Sequence, residues 1–316
     1  MRYGIISDTH RNPRTIPALV AALQQKGVDA LVLNGDIGET LDHIAFTVGT
    51  AAESNLPVYV QPGSHEEVAD YIAVMSAMTT SFKNVIDCLT YQKHEFGDHH
   101  LVFMPGSDWT AGGQFHLNNT IPTGTYVQTP KGLAPLSVEQ VKTFMQNEEA
   151  RPYLFVNTSF NDLDKHVTDA ERTVLFCHIP ARYANIATSV DMAYFSQTDE
   201  GVRPGIIMEN RIKQLVGKVA DKQLQFIAHY SGFPLKRENR GNPDLGAALV
   251  RNGVTKVISG HFHESAHRAN DAASNAVAEG SFGDNLAYMA SYADQGLAGI
   301  VTVKDNSIAY ENIKLG

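Results

Sequence analysis

Cysteine is scarce in this chain, with only Cys88 and Cys177 among 316 residues. Two thiols are far too few for a disulfide framework of the kind that secreted small domains use. Free cysteines are usually buried as small apolar side chains, and we interpret both in that way. This composition favours a reducing compartment, so we expect the protein in the cytoplasm.

Long apolar runs are also missing. No stretch approaches the roughly 20 residues that a membrane-spanning helix needs, so we expect no membrane association. The first apolar segment, residues 3–6, leads directly into a polar motif. It therefore predicts a core strand at the amino terminus and not a secretory signal.

Basic charge is low as well, because 25 Lys and Arg face 34 Asp and Glu, for a formal net charge of −9. Proteins that follow a nucleic-acid backbone usually carry a basic face. We therefore expect a small substrate and no long nucleic acid. The short basic cluster of Lys236, Arg237 and Arg240 contains Glu238, which is typical of a solvated loop.

Polar motifs, by contrast, follow apolar runs at five places in the chain. Strand ends are where α/β proteins place their catalytic and binding residues. The motifs are Asp8-Thr9-His10, Gly35-Asp36, Gly63-Ser64-His65-Glu66, His178 with Ile179-Pro180, and Gly260-His261-Phe262-His263.

Apolar periodicity around these motifs predicts an α/β fold. Alternating strands and helices in the first quarter indicate βαβ units and a largely parallel sheet. The predicted strands are residues 3–6, 30–33, 58–60, 173–176, 224–228 and 255–259, and the predicted helices are residues 15–25, 44–52 and 245–252, the last ended by Gly253. Residues 299–303 and 308–310 predict a closing hairpin around Asp305-Asn306.

Two segments interrupt this alternation, so we expect one domain with insertions at about residues 105–170 and 181–222. Residues 105–131 are rich in Gly, Pro, Asn and Thr without periodicity, which predicts a long loop that serves as a lid or binding loop. Its aromatic side chains either stack on a ligand ring or pack the loop onto the body. They are Trp109, Phe115, His116 and Tyr126.

The residue types in the motifs suit divalent metals. Side chains at i and i+2 of an extended chain point the same way, so Asp8 pairs with His10 and His261 with His263. Mixed carboxylate and imidazole ligands favour Mn, Fe, Co, Ni or Zn over Mg or Ca.

Taken in order, the motifs resemble those of the calcineurin-like metallophosphoesterase superfamily, which has Asp-x-His, Gly-Asp, Gly-Asn-His-Asp/Glu, a lone His after a strand, and Gly-His-x-His. One position departs, because Ser64 stands where the family has the Asn that binds the second metal. The resemblance implies an α/β four-layer sandwich of two mixed β-sheets flanked by helices.

The resemblance also implies two divalent metal ions. Asp8, His10, Asp36 and His263 would bind the first, and Asp36, Ser64, His178 and His261 the second, with Asp36 as the bridge. Because a serine side chain is shorter than an asparagine, we expect weaker binding at the second site. His229 is a rival to His178, since it also follows an apolar run; the Ile-Pro after His178 favours His178.

By the same resemblance, the activity is hydrolysis of phosphomonoesters or phosphodiesters of a small molecule such as a nucleotide, through attack of a metal-bound hydroxide. His65 would donate a proton to the departing oxygen. Glu66 either orients His65 or is the first-turn acid of the next helix. Arg182 and Arg240 either contact a phosphate or are surface charges. The alternative functions are a scaffold protein with an impaired second metal site, which Ser64 suggests, and a protein phosphatase.

Overall fold

The computed structural model describes residues 1–108, 113–198, 201–217 and 219–316. The strands are β1 Arg2–Ile6, β2 Ala30–Asn34, β3 Val58–Gln61, β4 Val85–Asp87, β5 Lys93–Glu95, β6 His100–Met104, β7 Phe115–Leu117, β8 Gly124–Thr129, β9 Gly132–Pro135, β10 Leu154–Thr158, β11 Thr173–Cys177, β12 Met192–Thr198, β13 Gly201–Pro204, β14 Leu235–Asn239, β15 Lys256–Ser259, β16 Ala269–Asn270, β17 Leu286–Met289, β18 Leu297–Lys304 and β19 Ser307–Lys314. The helices are α1 Ile16–Gln25, α2 Leu41–Ala52, α3 Val68–Ser81, α4 Val138–Met145, α5 Leu163–His166, α6 Gly205–Val216, α7 Asp221–Tyr230 and α8 Pro243–Asn252.

The first sheet has the order β19-β18-β1-β2-β3-β4. Strands β1 to β4 pair in parallel, and the β18–β19 hairpin adds to β1 in antiparallel fashion. The predicted parallel start and the closing hairpin are therefore confirmed. Helices α1, α2 and α3 cover the outer face, where Leu19, Ile44 and Val74 join one apolar cluster with Leu31 and Leu33 of β2.

The second sheet has the order β16-β17-β15-β11-β6-β5 and mixes parallel and antiparallel pairs. Alternate residues of its strands face the first sheet, so Phe103 stacks on Phe176 with ring centroids 5.1 Å apart, and both pack near Tyr3 of β1. Helix α8 lies on the other face through Leu245. Helix, sheet, sheet and helix form four layers, which confirms the predicted fold class.

The first predicted insertion contains regular structure, so the prediction of a long loop over residues 105–131 is wrong. Strands β7 and β8 lie in this range and form a four-stranded sheet, in the order β7-β10-β8-β9. Phe115, His116 and Tyr126 are buried and pack within the protein, whereas Trp109 lies outside the described residues.

A three-stranded sheet of β13, β12 and β14 forms the second additional unit, with α6 and α7 packed against it. The strand predicted at residues 224–228 is wrong, because these residues belong to helix α7. Leu224 and Ala228 are buried on one face of that helix while Phe226 between them is 61% exposed. The burial therefore follows the i, i+4 spacing of a helix.

None of the helices among the described residues combines the length and apolar character needed to cross a bilayer. The loops that follow β1, β2 and β3 in the first sheet, and β11 and β15 in the second, carry the five polar motifs. Hydrogen bonds connect these loops, from Asp8 N to Gly35 O at 3.1 Å and from Gly260 N to His178 O at 2.9 Å. Both sheets thus bring their motifs to one edge.

Candidate metal centre

The side chains of the five motifs converge into three overlapping groups. In each group, the atoms that could bind a metal lie within 4.8 Å of one another. The groups are Asp8, His10 and His263; His10, Asp36 and His65; and Asp36, His178 and His261. His10 belongs to the first two groups and Asp36 to the last two, so these two residues connect all three groups.

The first group contains one buried carboxylate and two imidazoles. His263 Nε2 lies 3.3 Å from Asp8 Oδ1 and 3.0 Å from His10 Nε2. Ser7 Oγ donates a hydrogen bond of 2.6 Å to Asp8 Oδ2, and the His261 N–H donates one of 3.0 Å to Asp8 Oδ1. These bonds fix the carboxylate so that it faces the two rings.

The third group contains Asp36, His178 and His261 and is centred on Asp36. His178 Nδ1 donates to Asn34 O at 3.0 Å, which turns His178 Nε2 toward Asp36 Oδ2, 3.1 Å away. On the opposite side, Asp36 Oδ1 accepts hydrogen bonds from the backbone N–H groups of Ser64, at 2.5 Å, and His65, at 3.0 Å. The carboxylate therefore has one oxygen held by backbone and one facing the imidazoles.

The ionisation of these groups reflects their burial and their proximity. Burial alone would raise the pKa of Asp36, but the facing His178 outweighs burial and holds that pKa well below its usual range. Burial would likewise lower the pKa of His178, and Asp36 instead raises it to about 10. Burial, with His178 nearby, lowers the pKa of His261 to about 4. Asp36, like Asp8, whose pKa is also lowered, is thus anionic near neutral pH, as carboxylate metal ligands must be.

Several motif residues have backbone conformations that are unusual for residues with side chains. Asp8, His10, Asp36 and His261 have φ angles of 60°, 48°, 52° and 77°, in the left-handed region that favours glycine. Such strain occurs mainly at functional sites, where the surrounding fold maintains it. Gly260 illustrates the crowding, since a Cβ there would collide with the side chains of Ser7 and Asp8.

Glu66 has neither of the roles that the sequence suggested. Helix α3 begins at Val68 and its first-turn acid is Asp70, so the helix interpretation of Glu66 is wrong. Its carboxylate accepts hydrogen bonds from Ile37 N at 2.5 Å and from Gly63 N at 2.8 Å, and not from His65. Burial, with Asp36 nearby, raises the pKa of Glu66 to about 8. Glu66 connects the loops that carry Asp36 and Ser64.

His65 and His229 differ in their relation to this site. His65 is half-exposed at its edge, with Nδ1 3.4 Å from Glu39 Oε1 and Nε2 3.9 Å from Asp36 Oδ2. His229 is exposed on helix α7 and belongs to none of the three groups among the described residues. Of these two histidines, His178 is therefore the one that lies next to Asp36.

Sequence reasoning missed two other neighbours of the site. Glu39 lies 4.0 Å from His10 Nδ1 and also contacts Arg11; its place soon after Gly35-Asp36 was the available signal. The Tyr292 ring stacks on His263 with centroids 4.2 Å apart and an interplanar angle of 3°. Nothing in the sequence near Tyr292 indicated that contact.

Of three similar solved structures, TT1561 supports the fold, because its TM-score is above 0.5. TT1561 of Thermus thermophilus is 8% identical, with 99% of each chain covered and a TM-score of 0.53. A dimetal phosphatase from Danio rerio is 10% identical, with 99% of this chain and 98% of that chain covered and a TM-score of 0.44. An archaeal phosphodiesterase is 13% identical over 43% of this chain and 82% of its own, with a TM-score of 0.27.

Among curated proteins, none matches the chain by sequence. The calcineurin-like phosphoesterase family model matches residues 1–265. That span includes every motif from Asp8 to His263, and it covers most of the chain. This protein belongs to the calcineurin-like phosphoesterase family.

Proposed function

We propose that this protein is a dinuclear metal-dependent phosphoesterase that hydrolyses phosphomonoesters or phosphodiesters of a small molecule such as a nucleotide. The observation that carries the proposal is that three overlapping groups of imidazoles and carboxylates are connected through His10 and Asp36. A carboxylate can bridge because its two oxygens bind separate cations, at the ~3.5–4 Å spacing common in two-metal hydrolases.

The residues fit divalent cations. His10 Nδ1 is buried and makes no hydrogen bond with the described residues, although buried polar atoms are normally paired. Asp8, His10, Asp36 and His263 would hold one ion, and Asp36, His178 and His261, with Ser64 beside them, the other. Such ions lower the pKa of bound water and neutralise phosphate charge. Mixed N and O ligands suit Mn, Fe, Co, Ni or Zn.

His65 is the candidate proton donor to the departing oxygen. It is half-exposed next to Asp36, where a substrate can reach it, and the Glu39 carboxylate 3.4 Å from Nδ1 holds its orientation. A ring held by a carboxylate at one nitrogen presents the other nitrogen in a fixed direction, as general acid catalysis requires. Asp36 would be the shared ligand that aligns the two proposed metal sites.

The net charge of −9 supports a small phosphate ester over a long nucleic acid, which an acidic protein repels. Cys88 and Cys177 are buried free thiols, which supports a reducing compartment such as the cytoplasm. Ser64 favours a second candidate function, a scaffold of the same fold with an impaired second metal site. That candidate requires loss of both tight metal binding and turnover.

The test combines metal analysis with hydrolysis of p-nitrophenyl phosphate and bis-p-nitrophenyl phosphate in added Mn²⁺. The variant Asp36→Asn should lose bound metal and turnover, whereas Asp42→Asn, an exposed acid on helix α2, should keep both. Circular dichroism checks that each variant is folded. Turnover that survives in Asp36→Asn contradicts the proposed site, and absence of both metal and turnover in the wild type supports the scaffold.

A further inference from the structure

A cavity of about 730 Å³ lies between the two additional units of the fold. Leu117, Asn118 and Leu133 line it from the first unit, and Arg182, Arg240 and Pro243 line it from the other side. This volume is in the range of small-molecule sites. Leu117, Leu133 and Pro243 form its apolar part, and most of the other lining residues are polar or charged.

The cavity adjoins the candidate metal centre. Arg182 lies in the loop that begins with His178 at the end of β11. Asp108, which also lines the cavity, lies two residues after Gly106, whose N–H donates a hydrogen bond of 3.0 Å to Pro62 O, directly before the Gly63-Ser64 motif. A molecule held at the metal centre can therefore extend into the cavity.

The backbone that carries the two arginines is fixed by the buried Asp191. Its Oδ2 accepts hydrogen bonds from Tyr183 N at 3.0 Å and from Gly241 N at 3.1 Å, one residue beyond each arginine. Arg182 N also donates to Asn242 O at 3.2 Å. The two chain segments touch so closely that a Cβ at Gly241 would collide with Ala181. Arg182 and Arg240 are thereby held on adjacent segments.

The guanidinium groups are available to an anion. Arg240 lies over the Phe195 ring at 4.6 Å, and within the described ranges neither arginine forms a salt bridge. Asn118 Nδ2 is buried without a partner there. Glu238, Asp244 and Asp108 also line the cavity, so its charge is mixed, but among the described lining residues the arginines are the ones that can give a phosphate charge-assisted, bidentate hydrogen bonds.

We propose that this cavity is a substrate subsite in which Arg182 and Arg240 bind a second phosphate of the substrate, while the phosphate to be hydrolysed lies at the metal centre. The inference rests on the proposed function and narrows it to small molecules with two phosphate groups. Arg182 and Arg240 are specificity-determining residues, because they contact a part of the substrate that does not react.

The test compares substrates that differ in one phosphate. Adenosine 3′,5′-bisphosphate and ADP are each compared with AMP, and p-nitrophenyl phosphate measures basal turnover. In Arg182→Ala/Arg240→Ala, the preference for at least one two-phosphate substrate over AMP should fall by at least about 10- to 100-fold, the effect of losing one hydrogen bond to a charged group. The change should appear in KM for the two-phosphate substrates. Turnover of p-nitrophenyl phosphate should be unchanged.

Arg211→Ala is the matched control, because Arg211 is an exposed arginine on helix α6, outside the cavity lining. It should leave every rate unchanged. Arg182→Lys/Arg240→Lys should recover part of the preference. Equal losses of kcat/KM on all substrates overturn the subsite. A wild type that prefers neither two-phosphate substrate over AMP also overturns it.

Calorimetry separates failure of the subsite from failure of the proposed function. Adenosine 3′,5′-bisphosphate and ADP are titrated into the Asp36→Asn chain with and without the arginine substitutions. Binding that depends on the arginines supports the subsite even if the wild type hydrolyses nothing. Binding of neither probe, or binding that the arginine substitutions leave unchanged, overturns it even if p-nitrophenyl phosphate is hydrolysed.

Discussion

The hydroxyl of Ser64 donates a hydrogen bond to Asp36, with Oγ 3.0 Å from Oδ2. This is the carboxylate oxygen that faces His178. Ser64 therefore forms a hydrogen bond with the proposed bridging ligand itself, and its short side chain reaches no farther than Asp36. An asparagine at this position has a carbonyl oxygen one atom farther from the backbone, which suits direct contact with a cation.

Replacing Ser64 with Asn should strengthen the second metal site. We expect affinity for the second Mn²⁺ to rise by about 10- to 100-fold, the range that supporting groups around metals contribute. Isothermal titration of the metal-free protein resolves the two sites. In the control Ser64→Ala the second affinity should not rise, and equal affinities in the Asn variant and the wild type contradict the proposed ligand position.

Glu66→Gln should destabilise the protein and weaken metal binding together. The two oxygens of Glu66 accept from Ile37 N and Gly63 N at once, whereas an amide has one accepting oxygen, so one buried N–H loses its partner. We expect a loss of about 1–3 kcal/mol in the free energy of unfolding, measured by urea denaturation. The neighbouring exposed Glu67 provides the control, because Glu67→Gln should change stability by less than about 0.5 kcal/mol.

His65→Ala should slow hydrolysis in a way that depends on the leaving group. General acid catalysis contributes about 100- to 10,000-fold, and a poor leaving group needs it most. The loss in kcat should therefore be large for alkyl phosphates and small for p-nitrophenyl esters. His229→Ala is the matched control and should leave both substrates unaffected. A uniform loss across leaving groups would indicate that His65 binds or positions the phosphate instead.

His99 should make stability depend on pH, away from the metal centre. Burial lowers the pKa of His99 below 6.5 despite the adjacent Asp98. The neutral ring accepts from Tyr3 OH at 2.5 Å and donates to Asp98 at 2.7 Å.

A group with a lowered folded pKa stabilises the protein above its unfolded pKa, and that contribution is lost as the pH falls through the folded value. The difference in free energy of unfolding between wild type and His99→Gln should thus shrink from about pH 7.5 to about pH 5. A difference in the free energy of unfolding that grows as the pH falls contradicts this prediction.

The meeting of the five motifs was predictable because each directly follows a short buried strand. Once β1, β2 and β3 pair in parallel, Asp8, Asp36 and Ser64 have to lie at one sheet edge. The role of Glu66 was not predictable, because its partners Ile37 and Gly63 lie on different loops, and only the folded chain brings them together.

The two additional sheets escaped prediction for a different reason. Strands such as Phe115–Leu117 and Gly132–Pro135 span three or four residues, too few to show alternation. In residues 224–228, Leu224, Phe226 and Ala228 alternate as in a strand, yet Leu224 and Ala228 also fit a helical face. Packing against β12 and β14 decides in favour of the helix.

The left-handed backbone at Asp8, His10, Asp36 and His261 has an evolutionary consequence. Glycine would relax each of these turns, but it would remove the side chain on which the chemistry depends. Substitutions selected for thermal resistance alone should therefore accumulate at these positions at the expense of catalysis, since stability and activity oppose each other at strained sites. At this edge of the fold, a strained backbone lowers the stability of the chain and keeps its reactive groups in place.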